Sequence, residues 1–444
     1  MKQNKLALLL LSSTLIFSCA KDEPQLSTPQ IKATGTSDTL LMGHSIALHP
    51  HVTYEQGLTY AWRVNNVTKS TDSAFNFNPS DRGDYRVVFF ATNSVGTDSL
   101  VFNIKVNGKY ENGFLVLQEG QYGVANGDFA YYSYDSSKVT MNIYKKENPT
   151  LQLGPTDATL QYATIFNGDL YMVVKVGGPL VVVDAYTFKE KARIPKLPAD
   201  IGHAFLGISA NKGLLSSADG LYQVQLNPLT LGTKIPAFSG AAGDMLLVGD
   251  KIYVMSETEG IVILSATDYS VLKKIPKATL GFAKTKDAIW AAGDSSLFRI
   301  SPNSMDVARV PLSFGITNPW ALWSWRSASI TANPNGNEVY IAQRKEAPGI
   351  GGTLEYSGNK IFRYKDGDLS SLSTPFITLP PGQYFYGSAV RYNERKQQLL
   401  VYTLADEWGS SNDNKWQFYD AHAGTLLSTV QYTGYYFPAL SIYY

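Results

Sequence analysis

The sequence predicts an all-β protein in which a small β-sandwich precedes a seven-bladed β-propeller. Three observations predict this fold class. The 444 residues include 37 Gly and 21 Pro, the turn formers that a chain of short strands needs. Residues 30–107 alternate apolar and polar side chains in short runs, the period of half-buried strands. Residues 113–444 repeat a theme of three strands, which indicates a repeat architecture.

The composition excludes several classes of protein. Hydrophobic residues make up 44% of the chain and charged residues 17%, a balance that is not typical of intrinsic disorder. The 38 Lys and Arg residues almost cancel the 37 Asp and Glu residues, which leaves a net charge of +1. A nucleic-acid-binding protein normally carries a basic surplus. We therefore expect no nucleic-acid partner.

The first 29 residues have the pattern of a targeting signal. Lys2 and Lys5 precede an apolar run that is too short to span a membrane. The segment Leu15–Cys19 ends in the only cysteine of the chain and resembles a bacterial lipobox. This resemblance implies that residues 1–18 are a signal peptide, that Cys19 carries lipid, and that residues 19–29 are a tether. Lipid alone would then hold the protein on a membrane; a plain secretory peptide is the alternative.

The residues just after Cys19 bear on localisation. The stretch Lys21–Glu23 resembles the surface-export signal of Bacteroidetes lipoproteins. The resemblance implies an outer-membrane lipoprotein exposed at the cell surface. An ordinary solvated linker is the alternative interpretation.

Residues 30–107 are predicted to form the β-sandwich, with Trp62 as the centre of its core. The motifs Tyr60–Trp62, Gly83–Tyr85 and Thr92–Gly96 resemble the PKD-like, immunoglobulin-type domains of bacterial surface proteins. That resemblance implies a spacer or a surface that contacts partners. Three of the five histidines lie here, at His44, His49 and His51. We interpret them as ordinary strand histidines, because no cysteine or nearby acidic residue completes a metal site.

Seven units follow in residues 113–444. The clearest unit contains the strand-like runs Gly168–Val174, Pro179–Asp184 and Thr187–Ile194. The average spacing is about 47 residues, close to that of propeller blades. The last apolar run, Tyr435–Tyr444, remains after the seventh unit. We expect it to become the inner strand of the unit that begins at Gly113, because closing the ring removes exposed sheet edges.

A binding site is predicted where the chain enters each inner strand, because these segments meet at one mouth of a propeller. Large aromatic residues, with an adjacent His or Arg, cluster in several of them, as a pocket for a large organic ligand requires. Packing between blades is the alternative for these side chains. The candidate ligand-binding residues are Trp320, Trp323, Trp325, Arg326, Tyr384, Tyr386, Tyr435, Tyr436, Phe282, His203 and Phe205.

Catalytic and metal motifs are weak. The sequence has no Gly-x-Ser-x-Gly elbow, no zinc-binding His-Glu-x-x-His helix and no phosphate-binding P-loop. We therefore predict neither enzymatic activity nor a cofactor. The alternative is a glycosidase or lyase site formed by paired carboxylates from different units. The insertion Asp406–Trp416 offers oxygen ligands for calcium without the ordered spacing of a known loop. Alternatively, the tryptophans of this insertion could clamp a ligand.

The beginning of the repeat region carries a second resemblance. Gly113–Asp128, followed by Tyr131–Asp135, is similar to a family of Bacteroidetes propeller lipoproteins. Some relatives look like surface capture proteins for cobalamin that work beside a TonB-dependent outer-membrane transporter. The resemblance therefore implies capture of a small-molecule nutrient, a corrinoid among the candidates, for hand-over to such a transporter. A glycan-binding surface protein is one alternative. Another alternative is an interaction scaffold, in which the aromatic residues themselves fill the mouth of the propeller.

Overall fold

The structure is a computed structural model that describes residues 26–53, 57–155, 159–320, 325–344, 357–405, 413–434 and 436–444. Its contacts divide the chain into two compact units with the boundary between Asn107 and Gly108. In these ranges the regular secondary structure is almost entirely β-strand, as the sequence predicts, with one short helix α1 (Ile143–Glu147) and 3-10 turns at Pro198–Asp200 and Leu369–Leu372. None of the described helices has the length and apolar character that crossing a membrane requires.

The first unit contains nine described strands, which form three sheets. Strands β2, β9, β8, β5 and β6 form a five-stranded sheet in that order, with β2 parallel to β9, while β1 pairs with β4 and β3 pairs with β7. The strands are β1 (Gln30–Lys32), β2 (Ser37–Leu41), β3 (Ile46–Leu48), β4 (His51–Thr53), β5 (Thr59–Val64), β6 (Val67–Ser70), β7 (Phe75–Phe77), β8 (Gly83–Thr92) and β9 (Thr97–Asn107).

Trp62 is the centre of the first unit's core, as predicted. Its side chain is 0% exposed, and its ring lies 4.5 Å from that of Phe89. The indole N–H donates a hydrogen bond to the backbone oxygen of Asp72 at 2.9 Å, so the polar end of the buried ring has a partner. His44, His49 and His51 are all exposed. No cluster suited to a metal ion occurs among the described side chains.

The second unit consists, over its described residues, of seven four-stranded antiparallel sheets. They are, in chain order, β10 (Gly113–Gln121), β11 (Ala125–Ser133) and β12 (Val139–Thr140) with β37 (Pro438–Tyr443); β13 (Leu160–Phe166), β14 (Asp169–Val174), β15 (Leu180–Asp184), β16 (Glu190–Ile194); β17 (Gly202–Ser209), β18 (Lys212–Ser217), β19 (Gly220–Leu226), β20 (Leu229–Lys234); β21 (Ala242–Val248), β22 (Lys251–Ser256), β23 (Gly260–Ser265), β24 (Val271–Ile275); β25 (Gly281–Lys284), β26 (Ile289–Gly293), β27 (Ser296–Ile300), β28 (Val307–Pro311); β29 (Ile330–Ala332), β30 (Glu338–Arg344), β31 (Ser357–Lys365), β32 (Ile377–Thr378); and β33 (Tyr384–Asn393), β34 (Gln398–Leu404), β35 (Asp413–Asp420), β36 (Leu426–Thr433).

One edge strand of each sheet belongs to a closed ring. The ring strands are β13, β17, β21, β25, β29, β33 and β37, and each contacts the next, while β37 also contacts β13. The C-terminal strand β37 pairs with β10, with Leu440 opposite Leu117 and Tyr443 opposite Phe114, as the sequence predicts. We call the end of the ring where these strands begin the start face, and the end where they finish the end face.

Apolar side chains fill the space between consecutive sheets. The run Leu180–Val183 in β15 is buried on both faces of its sheet, so it is continuously apolar rather than alternating. Tyr171 and Phe205, from neighbouring sheets, stack with ring centroids 4.1 Å apart. Gly260 opens β23 at a φ of +81°, where a Cβ atom would lie 2.1 Å from the backbone oxygen of Ile275. Packing between the sheets therefore helps to position the ring strands around the axis.

Candidate functional site

A cavity of about 860 Å³ lies inside the ring and is lined by residues from the end face. Six of the seven ring strands supply lining residues, from the middle of the strand, as at Asp244, to its end, as at Lys284 and Tyr443. Residues on paired strands therefore shape much of its wall. Its tyrosine and charged lining residues are Tyr134, Tyr162, Tyr392, Tyr443, Tyr444, Asp244, Glu111, Glu394, Lys284, Arg391 and Arg395.

Asp244, on ring strand β21, contributes a carboxylate to the cavity wall. The hydroxyl of Ser327 lies 3.2 Å from both of its oxygens, and the backbone N–H of Ala328 donates to Oδ2 at 3.4 Å. Burial raises the pKa of Asp244, and the nearby positive charge of Arg391 opposes that rise. Burial likewise raises the pKa of Tyr162, with the negative charge of Asp244 as a further cause, so this phenol stays protonated.

The guanidinium of Arg391, on β33, also lines the cavity. Its Nη1 donates to the backbone oxygens of Ala328 and Ile330, at 2.9 and 3.1 Å. Its Nη2 donates to the hydroxyls of Ser327 and Ser388, both at 3.0 Å. Three of these bonds join β33 to residues at or just before the start of β29, and the fourth, to Ser388, lies within β33. Arg391 therefore brings a positive charge to the cavity while its Nη hydrogens are already engaged.

The start face is packed with aromatic side chains near the axis. His203 and Trp325, predicted as ligand contacts, are 5% and 3% exposed, and their rings lie 5.4 Å apart. Trp320 approaches both rings and donates its indole N–H to the backbone oxygen of Thr279 at 2.7 Å. Burial lowers the pKa of His203 to about 4, so its imidazole is neutral at pH 7. The ring of Trp325 also lies 6.1 Å from that of Tyr162, which lines the cavity from the other side.

A second polar group lies beside this aromatic packing. The buried carboxylate of Glu119 accepts hydrogen bonds from the amide of Gln161, at 2.8 Å, and from the hydroxyl of Tyr386. Arg326 lies 3.7 Å from the same carboxylate and donates to the hydroxyl of Tyr386 at 3.2 Å. The ring of Tyr386 lies 5.4 Å from that of Phe437. These contacts join the sheets at the place where β37 closes the ring.

The predicted site residues fall into four groups. Phe282 lines the cavity. His203, Phe205, Trp325 and Tyr386 are buried, whereas Trp320, Arg326, Tyr384 and Tyr436 are partly exposed. Cys19, Trp323 and Tyr435 lie outside the described residues. The role of these residues as ligand contacts stays a prediction.

Trp416, considered above as part of a ligand clamp, is 0% exposed. It donates to the hydroxyl of Tyr432 at 2.9 Å, so its side chain belongs to the core.

Sequence reasoning missed the polar residues of the cavity. Tyr162 and Asp244 fall inside segments that lead into ring strands, but they lack the aromatic clustering that drew attention to other segments. A signal was present for Asp244, because a carboxylate in an otherwise apolar strand needs a partner or a function. Arg391 gives a weaker signal, since a charged residue near the end of a strand is ordinarily solvated.

Comparisons with known proteins bear on the fold. A family model described as a domain of unknown function, DUF5074, matches residues 112–444. No curated protein matches the chain. The crystal structure of a quinoprotein alcohol dehydrogenase-like protein from Bacteroides thetaiotaomicron, a propeller-like protein, is similar with a TM-score of 0.59 and 17% identity. This similarity covers 94% of this chain and 99% of the other. At that identity, it shows the fold alone.

A computationally designed protein, Ika8, matches with a TM-score of 0.44 and 10% identity, over 73% of this chain and 89% of its own. That similarity is too low to bear on the fold.

Proposed function

We propose that this chain, which belongs to the DUF5074 family, is a non-catalytic, seven-bladed propeller protein that captures a large polar nutrient in its central cavity. The seven four-stranded sheets and the ring of contacts between their edge strands support the blade count. We propose in the same way that the first unit is an immunoglobulin-type, PKD-like module. The non-catalytic role rests on the sequence, which carries none of the common nucleophile, zinc-helix or phosphate-loop motifs.

The cavity inside the ring is the observation that carries this proposal. Its volume of about 860 Å³ falls within the range of roughly 300–1,000 Å³ that is typical of small-molecule sites. Tyrosine rings and charged side chains of both signs line it, so it offers apolar area together with hydrogen-bonding groups. Such a wall suits a large ligand with a polar periphery better than a purely apolar one.

A corrinoid is the first candidate ligand. Gly113–Asp128 resembles a family of Bacteroidetes propeller lipoproteins, some relatives of which look like cobalamin-capture proteins, and this suggests a corrinoid. The amide-rich edge of a corrinoid matches a wall of mixed hydrogen-bonding groups. We propose further that lipid on Cys19 anchors the protein at the outer-membrane surface. From there it would hand its ligand to a TonB-dependent transporter, with residues 30–107 as spacer or contact surface.

Glycan binding is the second candidate, and the tyrosines of the cavity favour it. Tyr134, Tyr162 and Tyr392 line the cavity and are partly exposed, as side chains that stack on sugar rings must be. The long Tyr-rich wall would then hold one or two sugar units of a polysaccharide.

Isothermal titration of residues 20–444 with cyanocobalamin tests the first candidate. We expect binding near one ligand per protein, and we expect Phe282→Ala to weaken it because Phe282 lines the cavity. Tyr122→Ala is the matched control, because Tyr122 is an exposed aromatic residue outside the cavity lining.

The absence of heat at micromolar concentration would exclude the corrinoid. Slower migration of the wild type than of Phe282→Ala in gels that contain polysaccharide would then favour the glycan. If neither probe binds, the capture proposal is wrong.

A further inference from the structure

The hydrogen bonds of Asp244 leave much of its carboxylate unused. Its contacts with Ser327 and Ala328 are 3.2 to 3.4 Å long, whereas hydrogen bonds to a carboxylate are typically about 2.7–2.9 Å. The two contacts with Ser327 share a single hydroxyl proton, so only one of them can be a hydrogen bond at a time. A carboxylate accepts about four hydrogen bonds. The cavity-facing oxygens of Asp244 therefore retain capacity for further donors.

Other aspartates of the same unit are bound differently. Asp184 accepts three hydrogen bonds from its own turn through Oδ1, from the backbone N–H groups of Tyr186 and Thr187 and from the Thr187 hydroxyl, at 2.9–3.0 Å. Asp128 accepts two backbone bonds below 2.9 Å, from Phe129 and Tyr144. These carboxylates organise local backbone. Asp244 organises little backbone, although its position inside the ring costs it hydration.

Arg391 indicates which kind of ligand group the part of the cavity beside Asp244 can receive. Its four Nη hydrogens are engaged by two carbonyl oxygens and two hydroxyls, so it offers charge without those donors. An anionic ligand group would thus meet the carboxylate of Asp244 and find no Nη donor on the guanidinium. A ligand group that donates hydrogen bonds would instead find an acceptor in Asp244.

We infer that Asp244 is the specificity-determining residue of the cavity, and that it recognises hydroxyl or amide N–H donors of a neutral polar ligand. This inference rests on the proposed function, because it assigns a ligand class to the same cavity. Hydroxyl donors point to a sugar, and amide donors point to a corrinoid periphery. Both present the same chemistry to the carboxylate, and two small probes distinguish them.

Crystals soaked separately in glycerol and in acetamide test the inference without the natural ligand. We expect a probe oxygen or nitrogen within about 3 Å of an Asp244 oxygen, and we expect the probe to leave that position in Asp244→Asn crystals, where one acceptor oxygen becomes a donor. Ordering of glycerol alone indicates the sugar-like class, and ordering of acetamide alone indicates the amide class. The inference is overturned if neither probe orders at Asp244, or if a probe keeps its place in the variant.

Titration in solution gives a second test with a matched control. If cyanocobalamin or a glycan binds the wild type, Asp244→Asn should weaken that binding about 10- to 100-fold, the effect of losing hydrogen bonds to a charged group. Asp250→Asn should not weaken it, because Asp250 is exposed and outside the cavity. Unchanged affinity in a folded Asp244→Asn variant overturns the inference. If neither ligand binds the wild type, that result contradicts only the capture proposal.

Discussion

The imidazole of His203 and the indole of Trp325 stack with their centroids 5.4 Å apart and an angle of 29° between their planes. His203 Nδ1 lies 2.7 Å from the backbone oxygen of Ala242, so the neutral ring donates a hydrogen bond across to the next sheet. The pair joins strand β17, strand β21 and the segment before β29. Its position at the start face makes it part of the packing that closes this end of the ring.

His203 makes stability depend on pH. Its pKa falls from an ordinary 6.5 to about 4 because burial penalises the charged ring. Because the pKa is lower in the folded state, the unfolded state binds the proton at a higher pH than the folded state does. Stability is therefore lost as pH falls from about 6.5 to 4. The full loss is about 3 kcal/mol. We expect urea unfolding of His203→Asn to lack this part of the acid dependence, and an unchanged pH slope would contradict the assignment.

Gly243 and Trp325 should be energetically coupled. A Cβ atom on Gly243 would lie 2.5 Å from the indole nitrogen of Trp325 and 3.1 Å from Trp320. Gly243→Ala should therefore destabilise the protein by about 1–3 kcal/mol through overpacking. In a Trp325→Ala background, which itself costs about 3–5 kcal/mol, the glycine substitution should cost less. Chemical denaturation of the double-mutant cycle measures this coupling, and simple additivity would argue against the contact.

The hydroxyl of Tyr386 should matter more to stability than that of an exposed tyrosine such as Tyr122. Tyr386 donates to the buried carboxylate of Glu119, which otherwise relies on Gln161 and on Arg326 at 3.7 Å. We expect Tyr386→Phe to cost about 1–3 kcal/mol, the penalty for a buried acceptor that loses a donor. Tyr122→Phe is the control, because its side chain is 61% exposed. Equal unfolding free energies for the two variants would contradict this role.

Removal of the C-terminal strand should open the ring. Deletion of residues 438–444 takes away β37, which pairs with β10 and contacts both β13 and β33. Leu440 and Ile442, which are at most 7% exposed, would leave the core and expose β10 as a new edge. We expect loss of cooperative thermal unfolding and a tendency to aggregate. Deletion of Tyr444 alone is the control and should keep a single sharp transition.

The fold class follows from local patterns because strand periodicity is a property of neighbouring residues. The predicted runs Gly168–Val174 and Pro179–Asp184 correspond to β14 and β15, whose bounds differ from them by one residue. The pairing of the C-terminal run with β10 was also predictable, since an apolar strand without a partner must find an edge. Trp62 could be placed in the first unit's core because Trp62 and Val64 flank Arg63 in a strand, so the two apolar side chains share one face.

The cavity could not be predicted in the same way. Phe282 and Trp325 both belong to aromatic segments before or at the start of ring strands, yet the first lines the cavity and the second is buried. The difference depends on Gly243 and His203, which come from other sheets and leave space for the indole. The scaffold interpretation predicts that the aromatic residues of the start face fill that face themselves. The capture proposal therefore uses the cavity, which is lined from the end face.

Alternation of side chains and the placement of turn formers act over a few residues, and they were enough to specify an all-β chain of repeated sheets whose last strand returns to the first. The chemistry of the cavity arises differently. Asp244 lies 83 residues before Ser327 in the sequence and still further from Arg391. No local sequence pattern predicts that these side chains lie close together. Closure of the ring brings these side chains together, because only then do strands from distant sheets face a common axis.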